Sequence, residues 1–366
     1  MQTVKVDLGE RSYPIYIGKG LLDSLGTRCG KVFKPRRCAV ITDSNVGKLY
    51  GERAVQSLAA AGFSPFLITL PAGEGTKSLK FVESCYNKMA QERVERGAFI
   101  VALGGGVIGD FAGFVAATYM RGIGFVQVPT SLLAQVDSSV GGKVGVNLKY
   151  GKNLVGAFYQ PKLVLCDTET LNTLPQRELL AGISEVIKYA VIYDNSLFER
   201  LEREIDKLLE KDHAKLTSII ARCCQIKAEV VAADETESGL RAILNFGHTV
   251  GHALEAITGY GKYLHGEAVA IGQVAESFIG TLVCDFKTAD AVRVKQLIQR
   301  SGLPVCARLN SRDRKRLLEA MKLDKKVSAG EIRFVLPTKI GCVKYGQKVP
   351  VEIVEKALIE ISECRQ

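Results

Sequence analysis

Along the first 130 residues, short apolar runs alternate with amphipathic stretches. The run CAVITDSNV (38–46) ends in turn residues, and SPFLITLPAGEGTKS (64–78) repeats that plan. AFIVALGGG (98–106) and GFVQVPTS (124–131) follow, with GKLYGERAVQSLAAAG and KFVESCYNKMAQERVERG as helical segments between. Apolar strands separated by amphipathic helices predict a parallel sheet covered on both faces. Ligands on such sheets bind past the carboxyl ends of the strands, where these Asp, Gly, Thr and Ser turns fall. The N-terminal MQTVKVDLGERSYPIYIG alternates like a strand.

From TETLNTLPQREL (168–179) the pattern changes period. Thr173-Leu-Pro-Gln-Arg-Glu predicts a helix start, with Pro175 in the first turn. The rest reads as mostly helical: LLAGISEVIKYAVI, NSLFERLEREIDKLLEK, KLTSIIARCCQIKAEVVAAD, NFGHTVGHALEAIT and HGEAVAIGQVAESFIGTLV. A short hairpin is expected over EIRFVLPTKIGCVKYG (331–346), and no internal repeat or low-complexity tract is present. The prediction is an α/β parallel-sheet domain over 1–172 and a mostly α-helical domain over 173–366.

Composition narrows the function classes. The 366 residues are 47% hydrophobic and 24% charged, as in ordinary globular proteins, and no apolar run approaches the roughly 20 residues of a membrane span. The N-terminus lacks the layout of a signal peptide, so a cytoplasmic location is expected. The net charge of +10 is dispersed, without interleaved aromatics, which favours a small anionic partner over nucleic acid. Ten scattered cysteines form no C-x-x-C pair. They are expected to be free, mostly buried thiols in a reducing compartment.

Candidate chemistry begins at Gly104, Gly106 and Gly109, spaced G-x-G-x-x-G between a predicted strand and helix. Such a turn aims backbone N–H groups and a positive helix end at a phosphate, or it is only a tight strand–helix turn. No acid lies about twenty residues downstream to hold a ribose. Asp43 with Asn45, and Glu74 with Lys77, end earlier strands instead. His213 lies in a charged helix and reads as solvated. His248 and His252 are four apart on one helical face, and His265 follows. Glu185, in the apolar helix GISEVIKYAVI, completes a two-histidine, one-carboxylate metal set or else pairs with Lys188. VDSSVGGKVGVNLKYGKNLVGAF (136–158) reads as two small-residue turns suited to an anion, with Lys143, Lys152, Asn153 and Asp137.

Taken together, GGGVIGDFAGFVAATYMRG, VPTSLLAQVDSSVGGKVGVN, GKNLVGAFYQP, GISEVIKYA, DETESGLRAILNFGHTVGHALE and LHGEAVAIG closely resemble the 3-dehydroquinate synthase family of the sugar phosphate cyclase superfamily. The resemblance runs from about Asp43 to beyond Lys325. It implies a Rossmann-like NAD-binding α/β domain, a helical metal-binding domain and a homodimer. It also implies conversion of 3-deoxy-D-arabino-heptulosonate 7-phosphate to 3-dehydroquinate and phosphate, with NAD and Zn2+ or Co2+ as cofactors. Metal ligands map to Glu185, His248 and His265, and His252 falls to the substrate pocket. Cofactor contacts map to Asp43, Asn45, Glu74, Lys77, Gly105, Gly106, Val107, Asp110, Thr130, Ser131, Lys143, Lys152, Thr170 and Thr173. Substrate contacts map to Asp137, Lys143, Asn153, Lys188, Lys227, Arg241, Asn245, His252 and Lys325, with Arg121 reaching the phosphate across a dimer interface. A sedoheptulose 7-phosphate cyclase or a metal-dependent polyol dehydrogenase is the alternative within the fold. A basic nucleotide-sensing or nucleic-acid-binding protein is the alternative outside it.

Overall fold

The computed structural model describes residues 1–34, 36–259, 261–323 and 332–364. By its own contacts the chain divides into two units, Met1–Leu174 with His213–Glu235, and Pro175–Asp212 with Thr236–Gln366.

The first unit is built on nine strands: β1 (Gln2–Val6), β2 (Tyr13–Gly18), β3 (Arg37–Asp43), β4 (Ser64–Leu70), β5 (Phe99–Gly104), β6 (Gly124–Pro129), β7 (Lys143–Leu148), β8 (Gly151–Phe158) and β9 (Leu163–Asp167). Seven of them form one sheet in the order β1-β2-β9-β6-β5-β3-β4, parallel throughout except for the β1–β2 pair. Successive side chains of β5 serve opposite cores. Phe99, Val101 and Leu103 pack with Leu25, Ala54 and Leu58, while Ile100 and Ala102 pack with Val82, Met89, Ile108 and Phe111. Burial on both faces is why these strands read as unbroken apolar runs.

Three segments differ from the pattern expected of them. The N-terminal alternation is two strands, β1 and β2, turning back on each other. LVLCD forms β9, although four apolar residues before Asp167 carry no period that tells strand from buried helix. The glycine- and lysine-rich stretch after Gly142 is an antiparallel hairpin, β7–β8, rather than two turns. Its glycines are what let it close: a Cβ on Gly145 would lie 2.7 Å from the Val155 carbonyl oxygen, and one on Gly156 2.3 Å from that of Val144. The helix His213–Ala233 packs on β1 and β2, so it joins the first unit although it follows the expected boundary at 173.

The second unit centres on the helix His265–Val283, buried almost continuously from Gly266 to Gly280. A helix apolar all round must be surrounded, and Gln176–Tyr193 and His248–Ile257 pack against it, as do Thr288–Arg300 and Val351–Glu360. The first of these starts directly after Pro175. The hairpin expected at 331–346 is β10 (Arg333–Lys339) and β11 (Cys342–Lys348). No helix among the described residues is long and apolar enough to cross a membrane.

The expectation of ten free thiols is corrected at one pair. Cys306 and Cys364 form a disulfide, their Cα atoms 5.6 Å apart, where the Ile361 carbonyl accepts the Ala307 amide. The sequence separation of 58 residues hides this pairing from spacing arguments. Of the other eight, seven are buried and only Cys342 is exposed. Thiol titration in denaturant without reductant should therefore count about eight reactive groups, and ten after reduction. Ten before reduction would show the pair to be open.

Candidate active site

Because β3, β4, β5, β6 and β9 run parallel, their carboxyl ends share one edge of the sheet. Taken in chain order, these five strands stand 2-1-3-4-5 across it, so the order reverses between β3 and β5. Crevices for ligands open at such a reversal. Asp43 closes β3, and Gly104–Gly106 close β5 and open the helix Gly106–Thr118. The Thr130 amide donates to the Gly104 carbonyl at 3.0 Å, fixing the strand end. A Cβ on Gly104 would meet Cβ of Ile108 at 2.7 Å, and one on Gly106 would meet Ser138 Oγ at 3.0 Å. The amides of Gly106, Val107 and Ile108 open the helix, where no intrahelical acceptor is available and the dipole is positive.

The polar groups predicted around this turn take definite places. Asp43 Oδ1 accepts the amides of Asn45 (2.8 Å) and Val46 (3.0 Å), while Oδ2 has no protein partner among the described residues. Lys77 is buried, and its Nζ donates to Asp110 Oδ2 at 2.7 Å and Asn153 Oδ1 at 2.6 Å. Burial pushes the Asp110 carboxyl above the usual range against the pull of Lys77. Glu74 Oε1 accepts from Asn147 Nδ2 at 2.7 Å, and Asn147 Oδ1 accepts the Asn153 amide at 2.8 Å. Asn153 itself is left-handed, φ 55°. Ser131 Oγ accepts the Ala134 amide, the Thr170 hydroxyl donates to the Asp167 carbonyl, and the Thr173 hydroxyl meets Tyr50 Oη at 2.6 Å. Lys227 Nζ donates to the Asp137 carbonyl (2.6 Å) and Oδ1 (2.8 Å). Lys143 and Lys152 lie exposed on β7 and β8, and Arg121 is exposed in a left-handed turn, φ 68°.

A second constellation lies wholly in the helical unit. Glu185, completely buried, sits on Gln176–Tyr193, His248 and His252 on His248–Ile257, and His265 at the start of its helix. His248 Nε2 and His265 Nε2 stand 3.7 and 3.6 Å from Glu185 Oε1. Lys188 pairs with the other carboxylate oxygen. One ligating atom from each of His248, His252 and His265 falls within 4.8 Å of the others. Arg241 is buried nearby in sequence, and Asn245 Nδ2 donates to Glu237 Oε1 at 2.9 Å. Lys325 lies outside the described residues.

The donor set fits a divalent metal of zinc or cobalt type. Tetrahedral N/O ligands about 2.0–2.2 Å from an ion are roughly 3.3–3.6 Å apart, close to the separations of Glu185 Oε1 from the two imidazoles. The outer nitrogens are also fixed as such a site requires: His248 Nδ1 bonds the Phe246 carbonyl and His265 Nδ1 bonds Glu255 Oε2, each at 3.1 Å. Glu255 was not singled out by sequence reasoning. The available signal was its place seven residues after His248, on the same helical face.

Residues 67–181 match the family model described as 3-dehydroquinate synthase N-terminal, and 182–327 the one described as 3-dehydroquinate synthase C-terminal. The chain is 46% identical to the 3-dehydroquinate synthase of Thermodesulfovibrio yellowstonii, over 98% of this chain and 100% of that one. It is 49% identical to that of Nostoc punctiforme, over 97% and 98%. Among solved structures it resembles 2-epi-5-epi-valiolone synthase from Streptomyces hygroscopicus subsp. jinggangensis, which has NAD+ and Zn2+ bound (TM-score 0.88, 28% identity, 97% and 98% covered). It also resembles 2-deoxy-scyllo-inosose synthase complexed with carbaglucose-6-phosphate, NAD+ and Co2+ (TM-score 0.89, 26% identity, 98% and 100% covered).

Two predictions follow from the helical constellation. Purified protein should bind one divalent metal per chain, and alanine at Glu185, His248 or His265 should abolish its retention through dialysis; normal metal content in any variant would remove that residue from the set. Without metal, the surroundings of His265 pull its imidazole down, but hydrogen bonds to Glu185 and Glu255 outweigh this and raise its pKa to about 10. Below that pH a metal must displace the proton. Apparent affinity should rise about tenfold per pH unit between roughly pH 6 and 9, with about one proton released. An affinity flat across that range would contradict the assignment of His265.

Proposed function

The chain belongs to the 3-dehydroquinate synthase family, and from that premise we propose that it converts 3-deoxy-D-arabino-heptulosonate 7-phosphate to 3-dehydroquinate and phosphate. This is the reaction of a carbon–oxygen lyase using NAD and a divalent metal. One observation carries the reading beyond the fold: four cations, Lys77, Lys188, Lys227 and Arg241, are only 4%, 1%, 6% and 2% exposed. Desolvated cations are costly, and a chain keeps them where anionic groups must be met. A nucleotide cofactor and a phosphorylated, carboxylated substrate supply such groups. A simple polyol does not.

The residues divide the labour. Asp43 Oδ2 is positioned to accept from ribose hydroxyls, and the amides opening Gly106–Thr118 serve the pyrophosphate, with Lys77, Asp110, Glu74, Thr130 and Ser131 around them. Glu185, His248 and His265 hold the metal. When bound, NAD supplies reversible hydride transfer and the metal polarises neighbouring hydroxyls. Asp137, paired with Lys227, serves as a hydroxyl partner or proton acceptor. Lys143, Arg241 and Lys325 carry the phosphate charge, with Arg121 contributed by a second copy in a homodimer, and Asn153 contacts the substrate. His252, Lys188 and Asn245 orient the substrate. Cofactor contacts thus fall between Asp43 and Thr173 and metal ligands between Glu185 and His265, in a cytoplasmic enzyme that catalyses no net redox change.

The test is phosphate release from 3-deoxy-D-arabino-heptulosonate 7-phosphate, with the NADH absorbance followed in parallel. Equal phosphate and dehydroquinate, dependent on NAD and metal and with no accumulated NADH, is the expected result. Turnover of sedoheptulose 7-phosphate alone, or NADH accumulating with polyols, would move the chain to the other cyclases or to the dehydrogenases. Lys143→Ala should lower kcat/KM by about 100-fold, the loss of ~2.7 kcal/mol of transition-state stabilisation, without changing metal content. Loss of metal in that variant would contradict the role given to Lys143.

A further inference from the structure

The helix His265–Val283 reaches both other ligand-bearing elements through polar side chains set far back from its own ligand. Gln273 is completely buried; its Nε2 donates to the Ser184 carbonyl at 2.9 Å and lies 3.3 Å from Ser184 Oγ. Ser184 immediately precedes Glu185. Glu276, one turn further on and equally buried, accepts the Gly247 amide on Oε2 at 2.8 Å. Gly247 immediately precedes His248. It is left-handed, φ 81°, and a Cβ there would meet the Val269 carbonyl oxygen at 2.8 Å.

Polar side chains in a helix packed on every side are expensive to bury. Gln273 and Glu276 lie eight and eleven residues beyond His265, roughly 12 and 16 Å along the axis, too far to be ligands. What they do is directional. Apolar packing tolerates small slides between helices, whereas a hydrogen bond to a named backbone group fixes register. Each bond grips the residue just before a metal ligand, and both come from the helix that supplies the third.

We propose that Gln273 and Glu276 are positioning residues that set metal affinity, by tying the backbone ahead of Glu185 and ahead of His248 to the helix bearing His265. The proposal rests on the Glu185–His248–His265 metal reading. Methionine at either position keeps length and volume but loses the bond, while Glu276→Gln keeps an oxygen that can accept the Gly247 amide.

The experiment measures Co2+ dissociation constants of the full chain by chelator competition, the visible Co2+ absorption bands, and the thermal midpoint of the metal-free form. Gln273→Met and Glu276→Met should weaken Co2+ binding about 10- to 100-fold and alter the bands, with metal-free midpoints within a few degrees of the parent. Glu276→Gln should return to within about threefold of parental affinity. Parental affinity in both Met variants, or a loss matched by collapse of the metal-free midpoint, would overturn the proposal. If one Met variant does not fold, the other decides. A parent chain that binds no Co2+ would instead refute the metal site itself.

Discussion

The helical constellation depends on how closely three backbones approach one another. A Cβ on Gly272 would stand 1.9 Å from the Gly247 carbonyl oxygen, and one on Gly266 2.1 Å from that of Ala181. On Gly251 it would stand 3.1 Å from the carbonyl oxygen of Ala268. These glycines set His265–Val283 directly against the segments carrying Glu185 and His248. Here backbone contact leaves the imidazoles and the carboxylate within one coordination shell of each other. Glycine costs about 1 kcal/mol per helical position relative to alanine, and the donor geometry is what that cost secures.

Close approach also concentrates charge, and the unit answers it with pairing. Glu185 is wholly buried yet bonded to Lys188 and faced by two imidazoles. Glu255 fixes the outer nitrogen of His265, so the ring's inner nitrogen faces Glu185. This arrangement makes the proton on His265 a competitor for the metal, because the two carboxylates that would orient the ligand also favour the imidazolium. The first unit works the same way at Lys77, whose ammonium joins Asp110 to Asn153. Lys77, Lys188 and Lys227 are thus each buried against an acid or amide of the same unit.

How far the sequence reveals this depends on the range of the interaction. Strands β3 to β6 and the helices between were legible because burial on both faces writes unbroken apolar runs, and turn residues mark their ends. β9 was too short to carry a period, and the β7–β8 hairpin was masked by the glycines that let it close. His248 and His252 were legible as a pair by their spacing on one helix. Glu185 was legible as a carboxylate in an apolar helix, but the choice of His265 over His252 to complete the set with His248 has no local signal and came from the family resemblance. The bond from Glu276 to Gly247 and the Cys306–Cys364 pair are equally nonlocal and were missed.

The glycine turn shows why a motif needs its topology. In the common dinucleotide pattern the turn follows the first strand and the acid follows later in the chain. Here the turn follows β5, the third of the strands β3, β4, β5, β6 and β9 in chain order, and Asp43 ends β3. The two are still neighbours, since β3 and β5 are paired along their length, with Thr42 opposite Leu103. The requirement is physical: an acid and a helix N-terminus must flank the point where the strand order reverses. Chain order is free to vary as long as the sheet restores that adjacency, so a candidate ribose partner can stand on the neighbouring strand as well as at a fixed distance downstream.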